Sequence, residues 1–151
     1  MSGRFFTLCL ALALVLWTAL PGCAGRVEPG APVSPGAREE AHEAVRAVLD
    51  AYSLGTMDAF AALVAPDFAP LRPAFLDRVD RARNAEQAVQ YETFVDRVLP
   101  AGGGAVAVAF TWTRKSQTPG GQALARGRTE FVLAPAQGRW LLTRMSGDNP
   151  F

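Results

Sequence analysis

The stretch AVAVAFTWTRK, residues 105–115, alternates large and small side chains with a period of two. Val106, Val108, Phe110 and Trp112 fall on one face, while alanine and threonine side chains fall on the other. This period is typical of a β-strand, in which successive side chains point to opposite faces of the sheet. Because the large side chains share one face, we predict a strand that covers a hydrophobic core with that face.

Turn-forming residues flank this strand on both sides. PAGGG at residues 100–104 precedes it, and TPGG at residues 118–121 follows it. Further strands are predicted at residues 89–95, 122–134 and 139–146. Because short connections favour antiparallel neighbours, the second half of the chain predicts a four-strand antiparallel meander. The first of these segments also fits a helix, and that alternative stays open.

The chain before the meander predicts helices. Apolar residues recur there at helical spacing, starting soon after Ser34, a residue type that often caps helices. Gly55 ends this first helix, and Thr56 caps a shorter second helix that we predict through Val64. A third helix is predicted at residues 73–82, so the whole pattern indicates an α+β domain with helices on one sheet face. The apolar stripe of the first helix consists of Ala41, Val45, Val48, Leu49 and Tyr52.

Several short motifs resemble the NTF2-like superfamily, which includes the SnoaL-like and ketosteroid-isomerase-like proteins. They are LDAY at residues 49–52, GTMDAFAAL at residues 55–63, DF at residues 67–68 and GRWLL at residues 138–142. The resemblance spans residues 39–147 and implies a cone-shaped α+β domain, with two or three N-terminal helices packed on a curved four-strand antiparallel meander. Because these motifs concern packing and turns rather than chemistry, the resemblance implies a fold and leaves the activity open.

The N-terminal segment has the pattern of a bacterial lipoprotein signal. Residues 5–20 form an uncharged apolar run after Arg4, shorter than the roughly 20 residues that a membrane-spanning helix needs. LPGC at residues 20–23 resembles the lipobox, in which the cysteine receives a diacylglycerol and becomes the first mature residue. The alternatives are an ordinary signal peptide, in which Cys23 is not lipidated, and an uncleaved anchor helix.

The chain therefore divides into three predicted segments. Residues 1–22 are the signal peptide, residues 23–36 the lipidated cysteine with a Pro/Gly-rich tether, and residues 37–151 the NTF2-like domain. We expect an envelope protein that contacts the membrane through its lipid anchor and faces the periplasm. Ala24 favours the outer membrane where the organism has one, because it is not the aspartate that resembles an inner-membrane retention signal.

Composition argues against several classes of function. With 15 Lys and Arg against 14 Asp and Glu, the net charge of +1 argues against nucleic-acid binding. Of the two cysteines, Cys9 leaves with the predicted signal, so no disulfide can form within the mature domain. His42 is the single histidine, and it lies among glutamates. We therefore expect no metal site and no cofactor.

Candidate site residues come from the expected cone. The sequence identifies no catalytic residue, and Cys23 is the lipidation site. An ion pair with Arg114 or Arg128 is the simplest interpretation of Glu130, and core packing is the simplest one for the aromatic residues. The ending GDNPF at residues 147–151 predicts a turn that folds Phe151 back onto the domain. The candidate pocket residues are Tyr52, Tyr91, Trp112 and Glu130.

Two classes of function compete at this point. The leading hypothesis is a non-catalytic domain that binds a protein partner or a small apolar ligand. The rival is an isomerase, dehydratase or cyclase that uses Glu130, Tyr91 or Asp67 as proton carrier in the cone, and a filled cone would argue against it. A homodimer formed through the outer sheet face also stays open, since Thr111 and Thr113 are expected there.

Overall fold

A computed structural model describes residues 32–151 of the chain. The predicted signal peptide, Cys23 and most of the predicted tether lie outside these residues. None of the helices within residues 32–151 is long and apolar enough to cross a membrane. The described elements are α1 (Pro35–Ser53), α2 (Met57–Ala61), β1 (Val64–Ala69), α3 (Arg72–Ala85), β2 (Gln87–Gly102), β3 (Ala105–Thr118), β4 (Gly121–Ala136) and β5 (Arg139–Gly147).

α1 forms where the sequence predicts a helix. The Ser34 hydroxyl accepts a hydrogen bond from the Ala37 amide at 3.2 Å, and Pro35 occupies the first turn, where its missing amide hydrogen costs nothing. The predicted apolar stripe is the buried face of α1, and Tyr52 near its end is 1% exposed. Because α1 starts at Pro35, the last two residues of the predicted tether already lie in its first turn.

The structure corrects the prediction for the segment after α2. We predicted a helix through Val64, whereas α2 ends at Ala61 and Val64 begins β1. β1 pairs in parallel with β5, and the Leu142 amide donates to the Leu63 carbonyl at 2.8 Å where the two strands meet. As an edge strand, β1 accommodates Pro66, which has no amide hydrogen to give to a neighbour. The sheet is therefore five-stranded and mixed rather than a purely antiparallel four-strand meander.

β2 to β5 form the predicted antiparallel succession within this sheet, whose order is β1-β5-β4-β3-β2. The strand interpretation of residues 89–95 is confirmed, since they lie in β2. In β3 the large alternating side chains face the helices and are at most 5% exposed, while Thr111 on the outer face is exposed. These inward residues are Val106, Val108, Phe110 and Trp112.

The core lies between the helices and the inner sheet face, and this volume is termed the cone. Full burial of one large apolar side chain stabilises the fold by about 1.5–3 kcal/mol, so the side chains in the cone carry most of the stability. The last residue of the sequence, Phe151, belongs to the same cluster. The helices contribute Val45, Val48, Leu49, Tyr52, Phe60, Phe75 and Val79, and β4 and β5 contribute Phe131, Leu133 and Leu142.

A close approach of three chain segments requires glycine at position 127. Gly127 is the register partner of Trp112, and the indole lies across the backbone of β4 at this point. A Cβ atom on Gly127 would lie 2.6 Å from Cζ2 of Trp112 and 2.7 Å from Cβ of Asp148. Both distances are shorter than van der Waals contact, so any larger residue displaces the indole or the chain around Asp148.

The variant Gly127→Ala should lower the free energy of unfolding by about 1–3 kcal/mol, because the added methyl group overlaps packed atoms. Gly36→Ala is the matched control: a Cβ at Gly36 meets open space, and alanine should raise the stability of α1 by up to about 1 kcal/mol. Urea unfolding followed by far-ultraviolet circular dichroism measures both. Equal stabilities of Gly127→Ala and the wild type would show that the close approach is wrong.

Candidate functional site

The last four residues of the sequence, Asp148–Phe151, turn back into the cone and are termed the tail segment. β5 ends at Gly147, whose φ of 88° lies in the left-handed region that glycine adopts easily. The Asp148 amide donates to the Arg128 carbonyl at 2.9 Å, and the Asp148 carboxylate accepts from the Arg128 amide at 2.9 Å. The Thr129 hydroxyl donates to the Asp148 carbonyl. These bonds fix the start of the tail segment to β4.

Phe151 fills the centre of the cone, as the predicted turn at the end of the chain requires. It is 5% exposed, and its ring lies among rings from α1, α2, α3 and β4. The ring centroid lies 5.1 Å from Phe60, 5.2 Å from Tyr52, 5.8 Å from Phe75 and 6.1 Å from Phe131. The first three pairs are tilted or edge-on, arrangements that the aromatic quadrupole favours. The chain's own side chain therefore occupies the space between sheet and helices.

The Pro150 carbonyl oxygen accepts two hydrogen bonds from the inner sheet face. The Tyr91 hydroxyl donates at 2.5 Å and Arg114 Nη1 donates at 2.9 Å. Tyr91 and Arg114 are register partners on β2 and β3, so their side chains leave the same face of the sheet side by side. A hydrogen bond to a charged group contributes about 1.5–3 kcal/mol, more than a neutral bond. The tail segment is thus held by a polar anchor as well as by the Phe151 ring.

The polar cluster around this carbonyl consists of Tyr52, Arg83, Glu86, Tyr91 and Arg114. Within it, the Arg114 guanidinium pairs with Glu86 at 3.1 Å, and the two side chains are only 14% and 15% exposed. Glu86 is the first residue after α3, and Arg83 lies in the last turn of that helix. Arg83 Nη2 also donates to the Gly55 carbonyl at 2.5 Å, which ties the end of α3 to the end of α1. The end of α3 therefore brings one negative and one positive side chain to the cluster.

Four atoms of the polar cluster are buried without a hydrogen-bond partner among residues 32–151. Buried polar atoms nearly always have a partner, because an unsatisfied one costs about 1–3 kcal/mol. Their concentration in one cluster gives it spare hydrogen-bonding capacity for water or for the polar part of a ligand. The four atoms are Tyr52 Oη, Arg83 Nη1, Glu86 Oε2 and Arg114 Nε.

Burial raises the pKa of both tyrosines in the cluster. For Tyr91, the loss of solvent outweighs the opposing positive charge of Arg114. For Tyr52, burial is again the largest cause of the raised pKa, and the negative charge of Glu86 adds to it. Both phenols therefore stay protonated at neutral pH, where a phenol can donate a hydrogen bond but does not act as a base. Tyr91 donates to the Pro150 carbonyl, and the Tyr52 hydroxyl has no partner within residues 32–151.

Three of the four candidate pocket residues lie in the cone. Tyr52 and Tyr91 belong to the polar cluster, and their ring centroids are 6.2 Å apart. Trp112 is 5% exposed, and its Nε1 donates to the Thr129 hydroxyl at 2.8 Å. Because Thr129 in turn donates to Asp148, Trp112 supports the tail segment from beneath.

Glu130 lies elsewhere, on the outer face of the sheet. It pairs with Arg97 at 3.6 Å across Ala109, rather than with either arginine that the sequence favoured. Asp67, the other carboxylate named as a possible proton carrier, is exposed in β1. Neither carboxylate therefore reaches the cone. Within the described residues, no group of three or more His, Cys, Asp or Glu side chains is placed to hold a metal ion.

Arg83 and Glu86 were not predicted as site residues, and Arg114 was predicted only as an ion-pair partner of Glu130. Arg114 carried a usable signal, because it continues the inward alternation of Phe110 and Trp112 along β3. Arg83 and Glu86 carried none, since their position depends on where α3 ends. The predicted helix ends three residues before α3 does, so it contains neither Arg83 in the last turn nor the junction with β2.

The outer sheet face has a different chemistry from the cone. Lys115 pairs with Glu92 at 2.6 Å, and Arg128 pairs with Asp96 at 3.1 Å. Phe94 is 70% exposed on this face, beside a hollow of about 400 Å³. Surface ion pairs of this kind contribute little to stability. With its charged side chains, the outer face is a polar surface that exposes one aromatic side chain, Phe94.

No protein-family model matches the sequence, and the search of curated proteins gives no match. Solved structures do match it. A ketosteroid isomerase-like protein from Erwinia carotovora atroseptica has a TM-score of 0.59 at 15% identity, covering 74% of this chain and 96% of that one. An NTF-2 like protein of unknown function from Shewanella oneidensis MR-1 has a TM-score of 0.57 at 10% identity, covering 74% and 98%. A protein described provisionally as a scytalone dehydratase, from Novosphingobium aromaticivorans, has a TM-score of 0.62 at 10% identity, covering 74% and 84%.

These likenesses identify the class of the domain: it is an α+β domain with the NTF2-like fold. The helices that precede the sheet and the curved sheet they pack against are shared with these neighbours. At identities of 10% to 15% the likeness concerns the fold alone and transfers no activity to this chain.

The two tyrosines of the sequence both lie in the polar cluster, so tyrosinate absorbance reports on this cluster alone. The folded protein should show little tyrosinate at pH values just above the ordinary pKa of 10.0, because burial raises the pKa of Tyr52 and Tyr91. A raised pKa in the folded state means that the unfolded chain loses its protons first. The contribution of the two tyrosines to stability should therefore be constant below pH 10 and fall above it.

An alkaline titration that records tyrosinate absorbance and circular dichroism together measures this. The account predicts that the absorbance rises only as the fold is lost. Two tyrosines that ionise near pH 10 in a protein that is still folded would contradict the buried cluster.

Proposed function

We propose that this chain is a lipid-anchored envelope protein whose NTF2-like domain acts by binding a protein partner or a small apolar ligand, and not by catalysis. The observation that carries the proposal is the state of the cone. Phe151 occupies its centre, and Glu86, the carboxylate of the polar cluster, is paired with Arg114 at 3.1 Å. The cone thus offers apolar contacts and hydrogen-bond donors, and its carboxylate is held in an ion pair.

Support for the anchor comes from LPGC at residues 20–23. Lipobox processing places a diacylglycerol on Cys23, and two acyl chains attach a protein stably where one chain gives only marginal binding. The segment from residue 24 to α1 is rich in Pro and Gly, and it would extend by roughly 3 Å per residue. The domain would then stand a few nanometres from the membrane and face the periplasm, at the outer membrane where the organism has one.

Support for binding rather than catalysis comes from the positions of the candidate proton carriers. A general base must reach a proton of its substrate. Tyr91 has a raised pKa and donates to the Pro150 carbonyl. Glu130 pairs with Arg97 on the outer face, and Asp67 is exposed in β1. None of these three side chains faces a substrate-sized space within the cone.

The alternative is an enzyme of the isomerase, dehydratase or cyclase type. Its support is that two structural neighbours are described provisionally as a scytalone dehydratase and an aromatic ring hydroxylase, at 10% and 12% identity. Such an enzyme would need the tail segment to leave the cone, so that Glu86 or Tyr91 could meet a substrate. A fold likeness at this identity does not supply that activity.

A second copy of this chain stays a candidate for the protein partner. The outer sheet face exposes Phe94 by 70% and Leu124 by 59%, and both side chains could pack against another molecule. The ion pairs on the same face would require a partner whose charged groups are complementary to them.

Mass spectrometry of the membrane-extracted protein tests the proposal in two steps. Under denaturing conditions the chain should begin at Cys23 and carry a diacylglycerol mass, and the Cys23→Ser variant should carry none because it lacks the thiol. Under native conditions the lipidated protein should carry an additional non-covalent mass, either a small molecule or a protein. That molecule should be recovered chemically unchanged after long incubation with the protein.

Three results would contradict the proposal. A wild-type chain without acyl mass would exclude the anchor, and a bare lipidated monomer under native conditions would exclude a bound target. Conversion of the recovered molecule during incubation would favour the enzyme.

A further inference from the structure

We propose that the cone takes an apolar carboxylate in place of Pro150 and Phe151, with Arg114 and Tyr91 holding the carboxylate and the aromatic rings enclosing the apolar body. The inference rests on the small-ligand form of the proposed function and names the class of that ligand. The tail segment is then an internal occupant that the ligand displaces.

The tail segment itself supplies the template for the ligand. Its buried polar part is the Pro150 carbonyl oxygen, bonded to Tyr91 and Arg114, and its buried aromatic part is the Phe151 ring, enclosed by four other rings. The Pro150 ring is buried between them. Only the amide nitrogen, Cα and Cβ of Phe151 separate the Pro150 carbonyl carbon from that ring. A molecule with an acceptor oxygen and an apolar group at this separation makes both sets of contacts.

The charge of the polar cluster favours an anion over a neutral carbonyl. The cluster contains the guanidinium groups of Arg83 and Arg114 and the carboxylate of Glu86, so its formal charge is positive. Arginine is not deprotonated in proteins, so the two guanidinium groups keep their positive charge, and Glu86 balances one of them. The Pro150 carbonyl is neutral and leaves the charge in place. A carboxylate removes it.

The second oxygen of a carboxylate also finds donors. Tyr52 Oη, Arg83 Nη1 and Arg114 Nε are buried and have no partner in the described part of the chain. The Tyr52 ring packs against the rings of both Tyr91 and Phe151, with centroids 6.2 Å and 5.2 Å apart, so its hydroxyl belongs to the same site. Hydrogen bonds to an ionised acceptor are roughly twice as strong as neutral ones. A carboxylate therefore bonds to donors that have no partner while the tail segment occupies the cone.

Residues 149–151 of the tail segment can leave the cone without disrupting the sheet. Asp148 is fixed to β4 by hydrogen bonds that involve neither Pro150 nor Phe151. Release requires that the two bonds to the Pro150 carbonyl break and that the buried side chains of Pro150 and Phe151 withdraw. Asn149, whose side chain bonds the Phe151 backbone, is already exposed. The moving unit is thus residues 149–151.

The probe that matches this template is 4-phenylbutanoate, whose three-carbon chain separates the carboxylate carbon from the phenyl ring. Its neutral control is 4-phenylbutan-1-ol, with the same ring and chain length and no charge. Phe151→Ala removes the internal competitor, and Arg114→Gln removes the charged donor. Arg126→Gln is the matched control variant, because it removes an equal charge from the exposed outer sheet face.

Isothermal titration calorimetry of the purified full chain measures the affinities. In Phe151→Ala, the affinity for 4-phenylbutanoate should rise about tenfold or more over the wild type, because the ligand no longer competes with an occupied site. The same variant should bind the alcohol about tenfold more weakly than the acid, a difference of about 1.4 kcal/mol. Adding Arg114→Gln should abolish the preference for the acid, and adding Arg126→Gln should leave it unchanged.

The outcomes separate this inference from the proposed function. Equal affinities for the acid and the alcohol would overturn the carboxylate and leave binding of an apolar ligand in place. No binding of either probe by a folded Phe151→Ala variant would overturn the cone as the ligand site and leave a protein partner as the target.

A measurement on the wild type keeps the test decisive where Phe151→Ala does not fold. The Phe151 amide donates to the Asn149 side chain at 3.2 Å, and its hydrogen exchange should accelerate when 4-phenylbutanoate displaces the tail segment. The alcohol should have a smaller effect at the same concentration. An exchange rate that saturating acid does not change would overturn the displacement.

Discussion

The two hydrogen bonds that reach the Pro150 carbonyl, together with the buried Phe151 ring, fill the cone, and the chemistry of the cone depends on them. The donors Tyr91 and Arg114 stand side by side because β2 and β3 pair them in register. Arg114 is in turn oriented by Glu86, whose place is set by the end of α3. The tail segment therefore connects the C-terminal turn of α1, through Tyr52, to β2 and β3 of the sheet.

This arrangement decides what kind of chemistry the cone supports. A cone with an open floor and a free carboxylate would favour proton transfer, whereas here the rings enclose Phe151 and the carboxylate of Glu86 is paired. The polar cluster instead presents guanidinium and phenol donors, several of them without a partner within residues 32–151. Donors in apolar surroundings suit the recognition of an acceptor. For this reason we favour binding over catalysis, and an anionic ligand over a neutral one.

Local patterns in the sequence predicted the helices and strands in which the spacing of the apolar residues alone identifies the buried face. The stripe that ends at Tyr52 identified α1, and the alternation through Trp112 identified β3 and its buried face. β1 was not predicted, because the strand that it pairs with, β5, lies far along the chain and because Val64 fits the end of a helix equally well. Pairings of this kind depend on tertiary contacts that no local window contains.

The candidate site was partly predictable for the same reason. Tyr52 and Tyr91 lie on apolar faces that periodicity identifies, and both are in the cone. Glu130 was placed on the wrong face for a pocket, although strand alternation with its buried neighbour Phe131 predicts that it points outward. Arg83 and Glu86 meet Arg114 only because α3 ends where it does, and the length of a helix is set by packing as much as by its own residues.

The central claim is that Phe151 fills the cone, and a nuclear Overhauser spectrum of the folded protein tests it most directly. The account predicts cross-peaks from the Phe151 ring protons to the rings of Phe60 and Tyr52, whose centroids lie 5.1 Å and 5.2 Å away. It also predicts Phe151 resonances shifted by the surrounding ring currents. A Phe151 ring without these cross-peaks and with the chemical shifts of an unstructured peptide would contradict the account.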